Sequence, residues 1–94
     1  PDEVTDTLDI IKFTLASYNS GVGHILDARR LAEKYGANPN KWDNNVDEYV
    51  LKLSDKDYYH DTVVYYGYMR GEETHNLVSE VIYRFQQYKN LIKE

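Results

Sequence analysis

Two helical periodicities flank a pair of glycines in the stretch TDTLDIIKFTLASYNSGVGHILDARRLAEKYG, residues 5–36. The first predicts a helix over Thr5–Ser20, and its apolar residues share one face: Leu8, Ile11, Leu15 and Tyr18. Ile10 and Phe13 fall on another side. A helix that is apolar on more than one side is normally surrounded by other elements, so we predict that this helix is central. Gly21 and Gly23 are predicted to end it.

A second helix is predicted from Val22 or His24 to Tyr35, and Gly36 stops it. One side of this helix is apolar and comprises Ile25, Ala28, Leu31, Ala32 and Tyr35. The opposite side is charged and comprises Asp27, Arg30 and Glu33. We expect the charged side to face solvent.

The middle of the chain is predicted from turn, cap and composition signals. Its four pieces are a loop over residues 37–45 with Trp42, a short helix over Val46–Leu53, a capped helical turn from Ser54 through Tyr59, and a short strand or extended segment over Thr62–Met69. The loop follows from proline and asparagine turn chemistry. The cap follows from Ser54 and Asp57, three residues apart. The strand follows from β-branched and aromatic composition.

The last helix is predicted over Glu72–Ile92, preceded by Gly71. It carries the longest apolar stripe in the chain, formed by Leu77, Val81, Phe85, Tyr88 and Ile92. We expect this stripe to be buried and to anchor the fold. The prediction is a single all-α domain over residues 1–94.

Composition excludes several classes of function. The 94 residues contain no cysteine, which excludes disulfides, thiolate metal sites and cysteine nucleophiles. A net charge of -5 without a basic stripe leaves nucleic-acid binding without its main driving term. No apolar run approaches the roughly 20 residues of a membrane span. The chain opens at Pro1 without an initiator methionine, so we expect it to be a piece of a longer polypeptide.

The polar residues present no recognisable metal or cofactor motif. His24, His60 and His75 lack the i, i+4 pairing of a helical zinc site, so neither a metal nor a cofactor is predicted. The carboxylates fall mostly on polar helix faces, where we expect them to be solvated.

The ten tyrosines divide into two groups. Three lie on apolar stripes and are predicted to be core: Tyr18, Tyr35 and Tyr88. Five cluster around the irregular segment before Arg70: Tyr58, Tyr59, Tyr65, Tyr66 and Tyr68. A tyrosine offers a flat apolar face and a hydroxyl, which suits stacking on sugar rings, and loops carry binding residues more often than helix stripes do.

An ordered set of motifs resembles the lytic transglycosylases with a lysozyme-like fold, in particular the membrane-bound murein transglycosylase type F group. The set covers residues 8–92 and consists of Ala16-x-Tyr18-Asn19-x-Gly21, Gly23-His24-Ile25, Asp27-Ala28-Arg29-Arg30-Leu31, Gly36-x-Asn38-Pro39-x-x-Trp42, Tyr58-Tyr59 and Gly67-Tyr68-Met69-Arg70-Gly71-x-Glu73. In this order the motifs look like the C-terminal half of the catalytic domain of that group.

The resemblance implies an enzyme that cleaves the MurNAc–GlcNAc β-1,4 bond of peptidoglycan and leaves a 1,6-anhydro end. In the family one glutamate, followed by serine and lying upstream of the Tyr-Asn motif, acts as acid and then base. This chain contains no Glu-Ser dipeptide. The resemblance therefore implies that no catalytic residue lies in this chain, which forms one wall of the glycan cleft.

Six residues are predicted to bind substrate: Tyr18, Asn19, Gly21, Tyr66, Tyr68 and Arg70. A core position for Tyr18 and a capping or salt-bridge role for Arg70 remain open alternatives. Many family members place a Tyr-Val pair on the last helix, whereas this chain has Leu77-Val78. Tyr66 or Tyr68 is the candidate to replace that missing tyrosine.

The expected architecture is an all-α, lysozyme-like half-domain of four or five helices. The expected partners are peptidoglycan glycan strands, the upstream half of the same catalytic domain, and a second copy in a weak homodimer through a patch near Leu8, Ile11 or Phe13. The expected location is the bacterial cell envelope, either periplasmic or associated with the outer membrane. The alternatives are a non-catalytic helical module that binds glycan or protein, and a degenerate homologue whose parent lacks the acid.

Overall fold

Five α-helices make up the regular structure of residues 3–92, the part of the chain that a computed structural model describes. They are α1 (Thr7–Ser20), α2 (Val22–Lys34), α3 (Asp47–Lys52), α4 (Lys56–Tyr59) and α5 (Gly71–Ile92). No strand occurs within this range, so the strand alternative for Thr62–Met69 is wrong; the segment has a turn at its start, a bend at Tyr65 and Tyr66, and irregular backbone after them. The predicted all-α, lysozyme-like half-domain is confirmed, with five helices. The two residues at each end of the predicted domain lie outside the described range.

A single glycine separates the first two helices. The side chain of Asp6 caps α1 by accepting a hydrogen bond from the amide of Asp9 at 3.0 Å. Gly21 ends α1 with a φ of 103°, a left-handed conformation that favours glycine, and its amide donates to the carbonyl of Ser17. Because α2 begins at Val22, Gly23 lies inside the first turn of α2. The prediction that Gly23 helps to end α1 is therefore wrong.

The core forms where α1, α2, α3 and the first half of α5 meet. Its buried apolar members are Phe13, Ala16, Ile25, Ala28, Leu31, Ala32, Trp42, Val46, Val50, Leu53, Met69, Val78 and Ile82. Trp42 is among the largest fully buried side chains and packs edge-on against Phe13, with ring centroids 5.4 Å apart. The loop predicted around Trp42 is an irregular turn, in which Asn44 has a φ of 60°.

Helix α1 buries a different face from the predicted one. Asp9, Phe13 and Ala16 point inward, whereas Tyr18 is 94% exposed, so the predicted core position of Tyr18 is wrong. Helix α1 packs against α2, α5 and the turn at Trp42. The carboxylate of Asp9 accepts a hydrogen bond from the backbone amide of Trp42 at 3.0 Å. That bond satisfies a buried amide, and the small Ala16 leaves room for the neighbouring helix.

Helix α5 is buried only along its first half. Its inward residues are Gly71, Thr74, Val78 and Ile82, and residues 83–92 are all exposed. The predicted buried stripe is therefore wrong: Val81 is only partly buried, and its other members are exposed, namely Leu77, Phe85, Tyr88 and Ile92. With 22 residues against 14 in α1, α5 is about 12 Å longer at a rise of about 1.5 Å per residue. Its C-terminal part extends beyond the elements that cover its first half.

Short helix α4 begins one residue later than predicted. Asp55, not Ser54, caps α4 by accepting a hydrogen bond from the amide of Asp57 at 2.9 Å. The hydroxyl of Ser54 donates instead to the carbonyl of Leu51, at the end of α3. An aspartate is as good a cap as serine, so the local signal fitted two adjacent positions.

Asp61 fixes the start of the irregular segment that joins α4 to α5. Its carboxylate accepts hydrogen bonds from the ammonium of Lys34, the amide of Val63 and the hydroxyl of Tyr35, all within 3.0 Å. These three donors, the lysine first, lower the pKa of Asp61 from 3.8 to about 2. Tyr35 is therefore a half-exposed partner of this carboxylate, and its predicted core position is wrong.

No helix within residues 3–92 has the length and apolar character to span a membrane.

The burial boundary along α5 gives a stability prediction. Ile82 is 8% exposed and Phe85 is 43% exposed, although the two lie only three residues apart on one helix. We expect Ile82→Ala to lower the free energy of unfolding by about 2 to 4 kcal/mol through lost contacts and the cavity left behind. We expect Phe85→Ala to cost less than about 1 kcal/mol. Urea denaturation followed by circular dichroism measures both, and an equal loss would contradict the boundary.

Asp61 gives a pH prediction. Because folding lowers its pKa, its carboxylate stabilises the fold above the unfolded pKa of about 3.8, and that stabilisation is lost as the pH falls towards about 2. The Tm of Asp61→Asn should lie below that of the wild type near neutral pH, and the difference should shrink over this acidic range. Glu33→Gln, on the exposed side of α2, is the control. A Tm difference that stays constant with pH would contradict the assignment.

Candidate functional site

An open groove of about 290 Å³ lies between the end of α1 and the start of α5. Its lining comes from three separate parts of the chain: Asn19, Ser20, His24, Tyr68, Met69, Arg70, Glu73 and Thr74. Three of the six predicted substrate-binding residues meet here, namely Asn19, Tyr68 and Arg70. Asn19 lies about 50 residues before Tyr68 and Arg70 in the sequence, so their meeting depends on the tertiary fold.

Asn19 joins the two walls of the groove. Its side-chain oxygen accepts a hydrogen bond from the hydroxyl of Thr74 at 2.7 Å. Thr74 is buried in the first turns of α5, whereas Asn19 is exposed near the end of α1. This bond fixes the rotamer of Asn19 and leaves its amide nitrogen available to a ligand in the groove.

Arg70 and Tyr68 form a ridge between the groove and a second cavity of about 340 Å³. The guanidinium of Arg70 lies 3.6 Å from the carboxylate of Glu73, and both side chains are exposed. The ring of Tyr68 packs edge-on against Tyr59, with centroids 5.7 Å apart. Arg70 therefore both forms a salt bridge with Glu73 and lines the groove.

The other three predicted residues lie outside the groove lining. Gly21 follows α1 directly, and its positive φ turns the chain into α2. Tyr66 contacts the groove residue His24 edge-on, with ring centroids 6.4 Å apart. Tyr18 lines a separate shallow depression together with Phe13, Thr14 and Ser17.

Asp27 holds the tyrosine-rich segment against α2. Its carboxylate is fully buried and accepts hydrogen bonds from the backbone amides of Tyr65 at 2.9 Å and Tyr66 at 2.8 Å. Arg30 pairs with the same carboxylate, donates to the carbonyl of Val63 and lies over the ring of Tyr65. The expectation that Asp27 is solvated is therefore wrong, because a helix-face pattern does not show a loop that folds back onto the polar side.

The downstream end of this segment is held against α3. The amide of Met69 donates to the carbonyl of Leu53 at 3.1 Å. A Cβ atom on Gly71 would lie 1.9 Å from the carbonyl oxygen of Val50, so only glycine allows α5 to start there. Tyr68 and Arg70 flank Met69 and are thereby placed at the groove.

Sequence reasoning missed several groove residues. His24 and Glu73 occur in motifs of the resemblance without a predicted binding role, and Thr74 occurs in none of these motifs. The Nδ1 atom of His24 is buried and has no hydrogen-bond partner among the described residues. One feature of the sequence could have indicated that His24 lines the groove: it follows directly after the Tyr-Asn and glycine motif.

The groove offers hydrogen-bonding and aromatic groups together with one exposed ion pair. Among residues 3–92, no three or more histidine and carboxylate side chains come together as a set that could hold a metal ion. The arrangement suits a polar, uncharged ligand with hydroxyl and amide groups that can pair with Asn19 and Arg70.

Comparison with known proteins identifies relatives of this chain. No protein-family model matches it. It is 45% identical over 80 residues to membrane-bound lytic murein transglycosylase F of Pseudomonas fluorescens. It is 44% identical over 81 residues to the protein of that name from Vibrio cholerae, and 46% identical over 81 residues to that from Vibrio campbellii.

These alignments cover 85% to 86% of the chain but only 14% to 16% of each relative. The chain thus spans between a seventh and a sixth of the length of these curated relatives. The level of identity over most of the chain agrees with the ordered motifs and with the all-α fold. The resemblance is confirmed, and the chain is homologous to one segment of the membrane-bound lytic murein transglycosylase F family.

Proposed function

We propose that this chain is part of a peptidoglycan lytic transglycosylase and forms one wall of its glycan cleft. In the proposed reaction the bond between C1 of MurNAc and O4 of GlcNAc breaks, and O6 of the same MurNAc bonds to C1. An acid gives its proton to the departing O4, and the resulting base takes the proton of O6, so no water is consumed. The names of the relatives support this reaction for the parent protein.

The observation that carries the proposal is the meeting of Asn19, Tyr68 and Arg70 in one groove. Each belongs to a motif of the resemblance, and the fold brings together motifs that are distant in sequence. An amide, a phenol and a guanidinium along one open groove can hydrogen-bond the hydroxyl and acetamido groups of a linear glycan. Substrate-binding roles for Tyr18 and Gly21, which lie outside the groove lining, remain predictions.

The carboxylates of this wall do not suit the role of the acid. A general acid for glycoside cleavage needs an apolar setting that keeps its proton near neutral pH. Glu73, the carboxylate that lines the groove, is exposed and lies 3.6 Å from the guanidinium of Arg70. We therefore place the catalytic glutamate in another part of the parent protein, facing this wall.

The same proposal assigns partners and location. The substrate is the glycan strand of peptidoglycan, and the main protein partner is the upstream half of the catalytic domain. The exposed large apolar residues of α1 and α2 suit contact with that half: Leu8, Ile10, Tyr18, Val22 and Leu26. Phe13 is buried, so the proposed weak homodimer of the isolated chain would use these residues instead. The parent acts at the bacterial cell envelope, on the periplasmic side or at the outer membrane.

Saccharide binding tests the assignment of the groove. We expect chitotetraose at millimolar concentration to shift the amide resonances of Asn19, His24 and Arg70 in heteronuclear NMR spectra. Tyr68→Ala should weaken this binding by about threefold to tenfold, the value of one aromatic contact. Tyr83→Ala removes a similarly exposed tyrosine from α5, away from the groove, and should leave binding unchanged. Shifts confined to α5 beyond Ile82 would contradict the assignment.

Cleavage tests the proposed division of the catalytic domain. Purified sacculi incubated with the isolated 94-residue chain should release no anhydromuropeptides by mass spectrometry, whereas the parent protein should release them. Glu→Gln at the upstream Glu-Ser of the parent should abolish release. Turnover by the isolated chain would contradict the proposal. A parent that binds glycan without cleaving it would favour the non-catalytic or degenerate alternative.

A further inference from the structure

Tyr66 has an exposed aromatic ring that packs closely against α2. Three of its ring atoms lie within 2.9 Å of the point that a Cβ atom on Gly23 would occupy, so the ring rests directly on the backbone of α2. The edge contact with His24 fixes the ring from the side. Tyr66 is nevertheless 61% exposed, which leaves most of the ring open to solvent.

The backbone beneath this ring is fixed as well. Both carboxylate oxygens of the buried Asp27 are used on the segment, Oδ1 by the amide of Tyr65 and Oδ2 by the amide of Tyr66. A ring held from below, from one side and through its own amide loses little freedom when a ligand covers it. Preorganisation of this kind increases affinity because the ordering cost has already been met by folding.

We propose a specific role for Tyr66, one of the six residues predicted to bind substrate: outside the groove lining, the apolar face of an N-acetylhexosamine ring stacks on its ring. A pyranose ring presents C–H groups on its face and hydroxyls at its edge, which matches the flat face and the hydroxyl of tyrosine. His24 lines the groove and contacts Tyr66, so a glycan that leaves the groove past His24 reaches Tyr66 next. This inference rests on the proposed function and extends the binding wall by one sugar unit.

Gly23 is a positioning residue in this proposal. Its missing side chain creates the space that the ring of Tyr66 fills, so Gly23→Ala displaces the ring without removing it. Alanine is a better helix former than glycine, so the backbone of α2 itself should accept the change. Loss of affinity in this variant would therefore report the placement of the ring.

The test measures how affinity depends on the length of the saccharide, from chitobiose to chitopentaose, by isothermal calorimetry and NMR titration. In the wild type, affinity should increase when the chain becomes long enough to pass His24. Tyr66→Ala and Gly23→Ala should remove this increase, weakening the longest ligand by about threefold to tenfold and leaving chitobiose unchanged. Tyr66→Trp should retain the increase. Tyr65→Ala is the control, because that ring lies over Arg30.

The possible outcomes separate the two proposals. Equal affinities of wild type and Tyr66→Ala for chitopentaose, with shifts still present at Asn19, would overturn the role of Tyr66 and leave the proposed function standing. Equal weakening at every saccharide length would show that Tyr66 acts only through the structure, and would also overturn it. No shifts with any saccharide at millimolar concentration would overturn both the groove assignment and this inference.

Discussion

The carboxylate of Asp27 is the contact on which the placement of the candidate site depends. An ionised carboxylate in a fully buried position is costly unless it is paired and hydrogen-bonded. Asp27 meets that condition with two backbone amides and the guanidinium of Arg30, none of which belongs to the apolar core. Removing one partner of a buried ion pair typically costs about 3 to 5 kcal/mol, a large part of the stability of a small domain. The irregular segment between α4 and α5 is therefore tied to α2 by a contact that is costly to break.

Contacts at its two ends also hold the irregular segment in place, and each end is bound to a different helix. Asp61 holds its start to the end of α2, and the Met69 amide with the close approach of Gly71 holds its end to α3. Tyr66 and Tyr68 lie between these anchors. Their rings can be exposed without being mobile, because the backbone on either side is tied to different helices. Exposed but ordered aromatic rings are what a binding wall for a polar glycan requires.

Hydrophobic periodicity and turn residues predicted the helices well, because helix formation depends mainly on residues that are near one another in the sequence. Gly21 and Gly36 mark the ends of α1 and α2, because each takes a positive φ that favours glycine. The faces were harder to predict. Helix α1 is apolar on several sides, so its periodicity did not distinguish the Phe13 face from the Tyr18 face. In α5 the buried face passes through Val78 and Ile82, whereas the predicted stripe begins at the exposed Leu77. Burial also ends at Ile82, because it depends on how far the neighbouring elements extend, and the pattern of a single helix does not contain that information.

The candidate site was harder still to predict, because its contacts join residues that are distant in the sequence. Asn19, Tyr68 and Arg70 were found through motif resemblance, and they meet in the groove. The buried position of Asp27 was not predicted, because its partners are backbone amides nearly forty residues away. Every residue except proline has such an amide, so the pattern of side chains does not indicate the contact. The role of Gly23 was misread for a related reason. Because Gly23 has no side chain, the ring of Tyr66, more than 40 residues later in the sequence, can pack against its backbone.

Rigidity of this wall has a mechanistic reason under the proposed function. If the acid lies on the opposite wall, the scissile oxygen must be held within hydrogen-bond reach of it, and a displacement of about 1 Å can cost about a hundredfold in rate. A flexible tyrosine loop would bind glycan but would not hold it in register with a group on another part of the protein. The buried charge of Asp27, the bond between Asn19 and Thr74, and the contact of Gly71 with Val50 all restrict that displacement. Under the proposed function, the buried carboxylate of Asp27 contributes to the precise placement that catalysis across a cleft demands.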